Sequence, residues 1–138
     1  MSAIPNPAQF ALAGNAVFTV TSRKTETRFT FKVRVAENNA SMHFVSVLTG
    51  PDNTTDYRYL GYIRRGVYFH GGAKAKIAAE APSAKAFDWL WRNLMRTNDL
   101  SDLATIDHCG RCGRCGRPLT VPESVRSGYG PECVGKVL

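Results

Sequence analysis

The placement of cysteine constrains this chain more than any other feature of its sequence. All four cysteines lie between positions 109 and 133 of the 138 residues. Cys112 and Cys115 form a C-x2-C turn, and the glycine after each of them lets the backbone turn tightly. Two cysteines at this spacing can bind one tetrahedral Zn²⁺ ion, whose sulfur ligands lie about 2.3 Å away. The C-terminal segment is therefore predicted to fold around a metal ion.

Cys133 is predicted to be the distant ligand of the same ion. Pro131 stands two residues before it, and proline favours the first turn of a helix. The helix dipole stabilises a thiolate at a helix N-terminus. A C-x2-C turn followed by a loop and a ligand at a helix start predicts a treble-clef-like zinc finger. Zinc with four protein ligands is structural, because no coordination position remains open.

The sequence leaves the fourth ligand open between His108 and Cys109. Cys109 would complete a C-x2-C-x2-C run, but three sulfurs within seven residues crowd a single ion. His108 gives an H-x3-C-x2-C spacing, which reaches the ion more easily. His108 is therefore favoured over Cys109.

Disulfide bonds and an iron–sulfur cluster are the alternatives to zinc. The chain has no recognisable signal peptide, and C-x2-C in a cytosolic protein favours metal or redox chemistry over disulfides. The C-x2-C-x2-C run also opens the bacterial ferredoxin pattern. In that pattern the fourth cysteine follows closely, whereas Cys133 lies far along the chain. Structural zinc is thus the favoured interpretation.

The C-terminal segment resembles a family of domains of unknown function that is common in small bacteriophage proteins. The resemblance covers about residues 108–135 and rests on three motifs: HCGRCGRCGRPLT from His108, PES from Pro122 and GYGPEC from Gly128. The residue at Cys109 varies in that family, which supports His108 as the ligand. The resemblance implies a phage origin and bound zinc, and it implies no activity.

Upstream of the finger, alternating apolar and polar residues predict a meander of about five antiparallel strands. The clearest is 28–35, where Phe29, Phe31, Val33 and Val35 share one face. The other predicted strands lie near 16–21, 42–48, 57–64 and 67–69.

One main helix is predicted to cover this sheet. Phe87, Leu90, Trp91 and Leu94 fall at helical spacing after the start signal Pro82-Ser83. The predicted fold is therefore α+β: a small antiparallel sheet, one main helix and a C-terminal zinc finger. The predicted organisation is a flexible arm at 1–9, an α+β domain at 10–97, a linker at 98–107 and the zinc finger at 108–138.

The formal charge of +7 suits a nucleic acid or an acidic protein as partner. The sequence contains no run of about eighteen apolar residues, the length that could span a membrane. A soluble protein in the cytoplasm of a bacterial host cell, without a membrane partner, is expected. Carboxylates are scattered, and neither a G-x-S-x-G elbow nor a phosphate-binding glycine loop occurs, so an enzyme is not expected.

Two surfaces are candidates for contact with a partner. Cations follow the polar face of strand 28–35 and its preceding turn, and tyrosines occur further along the chain; single-strand binders combine these two types of side chain. The predicted nucleic-acid-binding residues are Arg23, Lys24, Arg28, Lys32 and Arg34. The second surface, on the helix, contains Trp89, Arg92 and Arg96.

The sequence therefore predicts a small basic zinc protein that binds nucleic acid, single-stranded or without sequence preference, largely through charge. The target could be DNA or RNA. The alternative is a protein-interaction module that binds and modulates or inhibits a host protein, because basic surfaces also bind acidic proteins.

Overall fold

A computed structural model describes residues 2–52 and 54–137. In this part of the chain seven strands form one antiparallel sheet, in the order β1-β7-β2-β3-β4-β5-β6. The strands are β1 Ser2–Ala3, β2 Asn15–Ser22, β3 Arg28–Ala36, β4 Asn39–Leu48, β5 Tyr57–Arg64, β6 Val67–His70 and β7 Ala104–His108.

Each α-helix begins with a proline, whose fixed φ and missing N–H suit the first helical position. The helices are α1 Pro7–Ala11, α2 Pro82–Arg96, α3 Pro122–Ser127 and α4 Pro131–Val137. A short 3-10 turn at Gly72–Lys74 follows the last strand of the meander. None of the described helices is long and apolar enough to cross a lipid bilayer.

Strands β2 to β6 form the meander that the alternation predicts. β5 and β6 are joined by Arg65 and Gly66, whose φ angles of 50° and 82° are both positive. Positive φ at both turn residues defines a tight hairpin turn whose twist matches that of the flanking strands. The α+β class and the meander are thus confirmed.

Helix α2 covers one face of the sheet, here called the inner face. Phe87 meets Phe31 edge-on, with ring centroids 4.9 Å apart. The indole N–H of Trp91 donates to the Gly66 carbonyl at 3.0 Å and so ties the helix to the β5–β6 turn. Leu90 is fully buried beside them. The apolar stripe predicted for this helix is therefore its buried face, and each large side chain contributes about 1.5–3 kcal/mol.

Residues 98–107, predicted to be a linker, instead contain all but the last residue of β7, a strand of the main sheet. This strand pairs with β2, with Val20 opposite Ile106. Residues 2–9, predicted to belong to a flexible arm, contain β1, which pairs with β7, and the start of α1. The Ile4 N–H donates to the Ile106 carbonyl at 3.1 Å. Both segments are ordered through partners that are distant in sequence, which periodicity alone does not reveal.

Val35 departs from the predicted inner face of β3. The pairing of β3 with β4 shifts register between Val35 and Ala36. Because an irregularity of this kind reorients the residues around it, Val35 is 37% exposed and Ala36 is buried in its place.

Candidate metal centre and sheet surface

Three cysteines come together between the end of β7 and the start of α4. Cys112 and Cys115 lie in the turn that follows β7, and Cys133 is the third residue of α4. Their sulfur atoms all lie within 4.8 Å of one another. Two sulfurs bound tetrahedrally to one zinc ion would lie about 3.8 Å apart, since each Zn–S bond is about 2.3 Å long. The three cysteines could therefore hold a metal ion.

Backbone amides of the turn point at the Cys112 sulfur. The N–H groups of Arg114 and Cys115 donate to Cys112 Sγ at 3.4 and 3.5 Å. The Gly116 N–H closes the turn on the Cys112 carbonyl at 2.9 Å, and Gly116 has a φ of 80° that favours glycine. The N–H groups of this turn therefore stabilise a negative charge on the Cys112 sulfur.

The pKa values of the thiols reflect these amides. Burial disfavours the Cys112 thiolate, but N–H groups of Cys115, Gly130 and Arg114 outweigh burial and lower the pKa of Cys112 to about 7. At Cys115 the Arg117 N–H favours the thiolate, whereas burial and the neighbouring Cys112 and Cys133 sulfurs together raise its pKa. Perturbed pKa values of this kind cluster at functional sites.

His108, the favoured fourth ligand, lies outside this group of sulfurs. It is fully buried, its Nε2 lies 2.6 Å from the Val125 carbonyl, and its Nδ1 accepts the Gly110 N–H at 3.0 Å. The carbonyl requires a proton on Nε2, which leaves Nδ1 as the acceptor. Both ring nitrogens are thus engaged with the backbone, and the imidazole links β7 to α3.

Cys109, the other candidate, also lies apart from the three sulfurs. It is exposed and lines a cleft of about 740 Å³ on the outer face of the sheet, opposite α2. Tyr57 and Arg111 line the same cleft. The structure thus brings together Cys112, Cys115 and Cys133 of the predicted ligands.

Phe10 attaches the cysteine-containing C-terminal segment to the sheet, a role that was not predicted from the sequence. Its ring is fully buried and lies near His108 and Tyr129, with centroid distances of 6.0 and 5.7 Å. A Cβ added to Gly113 would lie 2.5 Å from this ring, and one added to Gly128 would lie 3.0 Å away. The Asn6-Pro7 helix start before Phe10 was the available signal.

Aromatic rings line up across the outer face of the sheet. Phe44 of β4 is opposite Tyr62 of β5, and Tyr62 is opposite Phe69 of β6. Residues directly opposite in neighbouring strands share a face. Phe44 and Phe69 are 43% and 45% exposed, and the Tyr62 and Phe69 rings stack at 5.3 Å. We call Phe44, Tyr62 and Phe69 the aromatic row.

Three of the five predicted cations lie on the same face of the sheet as this row, along the neighbouring strand β3. Arg34 is opposite Phe44, and the Lys32 ammonium lies 5.1 Å from the centre of the Tyr57 ring. Arg28 lines the cleft together with Arg111. No carboxylate is found among the described residues that line this cleft.

The other two predicted cations lie at the β2–β3 turn, away from the aromatic row. The Arg23 guanidinium donates to the Ser101 carbonyl. Lys24 lines a separate, mostly apolar pocket of about 410 Å³ with Trp89 and Leu103. The predicted ridge of five cations is therefore divided between two places.

The three residues of the predicted contact surface on α2 lie in different environments. Trp89 is 40% exposed at the apolar pocket. Arg92 pairs with Asp88, and Arg96 donates to the Asn93 side chain at 2.7 Å. The two arginines thus interact with neighbours on their own helix.

A protein-family model matches residues 102–138. It describes a family of unknown function, DUF6011. The match begins two residues before β7, runs to residue 138 and includes all three clustered cysteines. It agrees with the resemblance to a family of unknown function in residues 108–135, and it covers less than half of the chain. No curated protein and no solved structure matches.

Proposed function

We propose that the protein binds single-stranded nucleic acid across the outer face of its sheet, and that a structural zinc ion holds the C-terminal segment at one edge of this face. The observation that carries the proposal is the aromatic row with Arg34 at its end. Two exposed phenylalanines with Tyr62 between them form a contiguous aromatic patch, and exposed apolar patches often mark binding sites.

Stacking would supply the contact with bases. Each base that stacks on an aromatic side chain contributes about 1–3 kcal/mol, whatever its identity. Neighbouring strands lie about 4.8 Å apart, so the three rings of the row are close enough for one nucleic-acid strand to contact all of them. Binding of this kind favours single strands, because bases in a duplex are already stacked on one another.

Cations would supply the contact with phosphates. Lys32 and Arg34 lie on the strand next to the row, and Arg28 and Arg111 both line the cleft. The formal charge of +7 draws a polyanion to this face, and its decrease by one on binding zinc through three thiolates leaves a clear excess. We place the strand's path along the aromatic row and towards the cleft.

Zinc is the proposed ion because thiolates are soft ligands that exclude magnesium and calcium. Three sulfurs are available, which also suits zinc better than an iron–sulfur cluster with its four thiolates. The proposed role of the ion is structural: metal binding and folding of the segment from Cys112 to α4 would be coupled.

Fluorescence anisotropy with a labelled oligothymidine and a matched duplex tests the proposed function. We expect the single strand to bind more tightly, and its affinity to fall steeply with salt. The double variant F44A/F69A should lose affinity at every salt concentration while keeping the slope. Lys32→Gln should instead reduce the slope of log affinity against log salt by about 0.7, the value for one lost phosphate contact.

Lys85→Gln is the matched control, because Lys85 is an exposed cation on α2 at the inner face. It should leave affinity and slope close to those of the parent. If Lys85→Gln and Lys32→Gln weakened binding equally, binding would depend on the overall charge of the protein and not on the outer face. Absence of salt-dependent binding would remove the proposal.

A protein-interaction module that modulates a host protein is the second candidate. Trp89, 40% exposed, and Leu103, 51% exposed, flank the apolar pocket beside α2. Exposed tryptophan is a frequent anchor in protein interfaces. Such binding would survive nuclease treatment and weaken on Trp89→Ala. A phage origin would fit either candidate and remains a prediction.

A further inference from the structure

The candidate metal site has three ligands where a structural zinc site has four. We infer that Cys112, Cys115 and Cys133 are the whole protein ligand set, and that a fourth coordination position is open to an external neutral donor. This inference rests on the metal site of the proposed function. It differs from a closed structural site, in which protein side chains fill every position.

The composition of the cluster supports a set of three protein ligands. Among residues 2–52 and 54–137, no histidine, aspartate, glutamate or further cysteine joins the three sulfurs. Cys109 is exposed in the cleft beside Tyr57, near enough that a Cys109 thiolate contributes to raising the pKa of Tyr57, after burial. The nearest cysteine in sequence thus faces a different surface.

The fixed position of His108 also supports this ligand set. To bind the ion, its imidazole would have to give up the Val125 carbonyl and the Gly110 N–H and leave its place against Phe10. Both backbone groups would then be left without these partners, in a part of the molecule where water does not easily replace them. The imidazole already has a complete structural role between β7 and α3.

The exposure of the cysteines and the net charge of the site support an open fourth position. Cys115 is exposed, whereas Cys112 and Cys133 are buried, so the ion would be reached from the side of Cys115. Three thiolates around Zn²⁺ carry one net negative charge, and Arg114 Nη1 lies 3.5 Å from Cys133 Sγ, where it offsets part of that charge. The net charge disfavours anions in the fourth position. A neutral oxygen or nitrogen donor therefore fits: water in the isolated protein, and imidazole or a similar ligand when supplied.

X-ray absorption of the purified zinc protein tests the ligand set directly. We expect three sulfur scatterers and one light scatterer, without the multiple-scattering pattern of imidazole. Four sulfurs, or a light scatterer with the imidazole pattern, would overturn the inference. This measurement needs no substitution, so it does not depend on how well a variant folds.

Cobalt substitution tests whether the fourth position exchanges. With Co²⁺ in place of zinc, added imidazole should shift the visible d–d bands saturably while the sulfur-to-cobalt charge-transfer intensity stays constant. Cys109→Ser and His108→Gln should give the parent's cobalt spectrum, whereas Cys115→Ser should lose about a third of the charge-transfer intensity. No shift at saturating imidazole would contradict an open position.

The failure of this inference is distinguishable from failure of the proposed site. A protein that binds no zinc or cobalt at all would remove both. A protein that binds one ion through four of its own side chains would keep the structural zinc and remove only the open position.

Discussion

Phe10 is the residue against which the cysteine-containing segment packs. It lies against the backbone of Gly113 and Gly128, where a Cβ would come within 2.5 and 3.0 Å of its ring. Tyr129 packs on it as well, and burial followed by the negative charge of Cys112 raises the pKa of Tyr129 to about 12. One side chain of α1 thus contacts both parts of the loop that presents the cysteines, and it couples their position to the sheet.

His43 is a buried histidine whose titration we expect to affect stability. Burial lowers its pKa more than the hydrogen bond to the Leu12 carbonyl, at 3.1 Å, raises it. As pH falls below about 6.5, the unfolded chain takes up a proton that folded His43 resists. The free energy of unfolding should therefore fall between about pH 6.5 and the lower pKa of the folded protein.

Urea unfolding at pH 7.5 and pH 5.5 measures this dependence. His43→Gln keeps an N–H donor but cannot titrate, so it should lose part of the decrease seen in the parent. The two proteins differ only at position 43, so the difference between them reports on His43. Identical decreases in parent and variant would show that the pKa of His43 is not lowered.

At the scale of elements, the contact between the C-x2-C turn and α1 can be tested by adding a single methyl group. Gly113→Ala should destabilise the protein by about 1–3 kcal/mol, the usual cost of overpacking, because the Phe10 ring has no space to move into. The same variant should bind zinc more weakly, since the turn cannot keep its position. Urea unfolding and competition with a chromophoric chelator measure the two effects.

Gly135→Ala in α4 is the matched control. A Cβ there has no heavy atom within 4 Å among its described surroundings, and alanine favours the helix by up to about 1 kcal/mol. It should leave zinc affinity unchanged and stability equal or slightly higher. If Gly113→Ala behaved like this control, Phe10 would not hold the turn in place.

The elements that the sequence predicted are those whose signals are local. Alternation within β2 to β6 and the apolar stripe of α2 need no knowledge of distant partners. The short β7 acquires its structure by pairing with β2, more than eighty residues earlier in the chain. The same reason explains the site: the spacing of Cys112 and Cys115 is local, whereas the bond that fixes His108 comes from Val125. The H-x3-C spacing favoured His108 as a ligand. The structure instead shows its ring hydrogen-bonded to Val125, a partner that the spacing does not reveal.

At the scale of the whole molecule, the C-terminal segment and the meander contribute different residues to one face. The aromatic row belongs to β4, β5 and β6, whereas Arg111 reaches the cleft from the metal-binding segment. The Arg111 guanidinium also donates to the Gly116 carbonyl at 3.1 Å, so its position depends on the fold of the turn. Under the proposed function, metal occupancy should therefore affect phosphate contacts and leave base stacking largely intact.

Removal of the metal by a chelator, followed by anisotropy titration against salt, tests this division. We expect the slope of log affinity against log salt to fall by about 0.7, the value for one phosphate contact, while F44A/F69A costs the same factor with and without metal. Arg111→Gln in the metal-bound protein should reproduce the loss of slope, and chelation should then lower the slope little further. If chelation left the parent's affinity and slope unchanged, Arg111 would not contact the strand. If instead it abolished the effect of F44A/F69A, the aromatic row would depend on the metal and the two parts of the face would act as one unit.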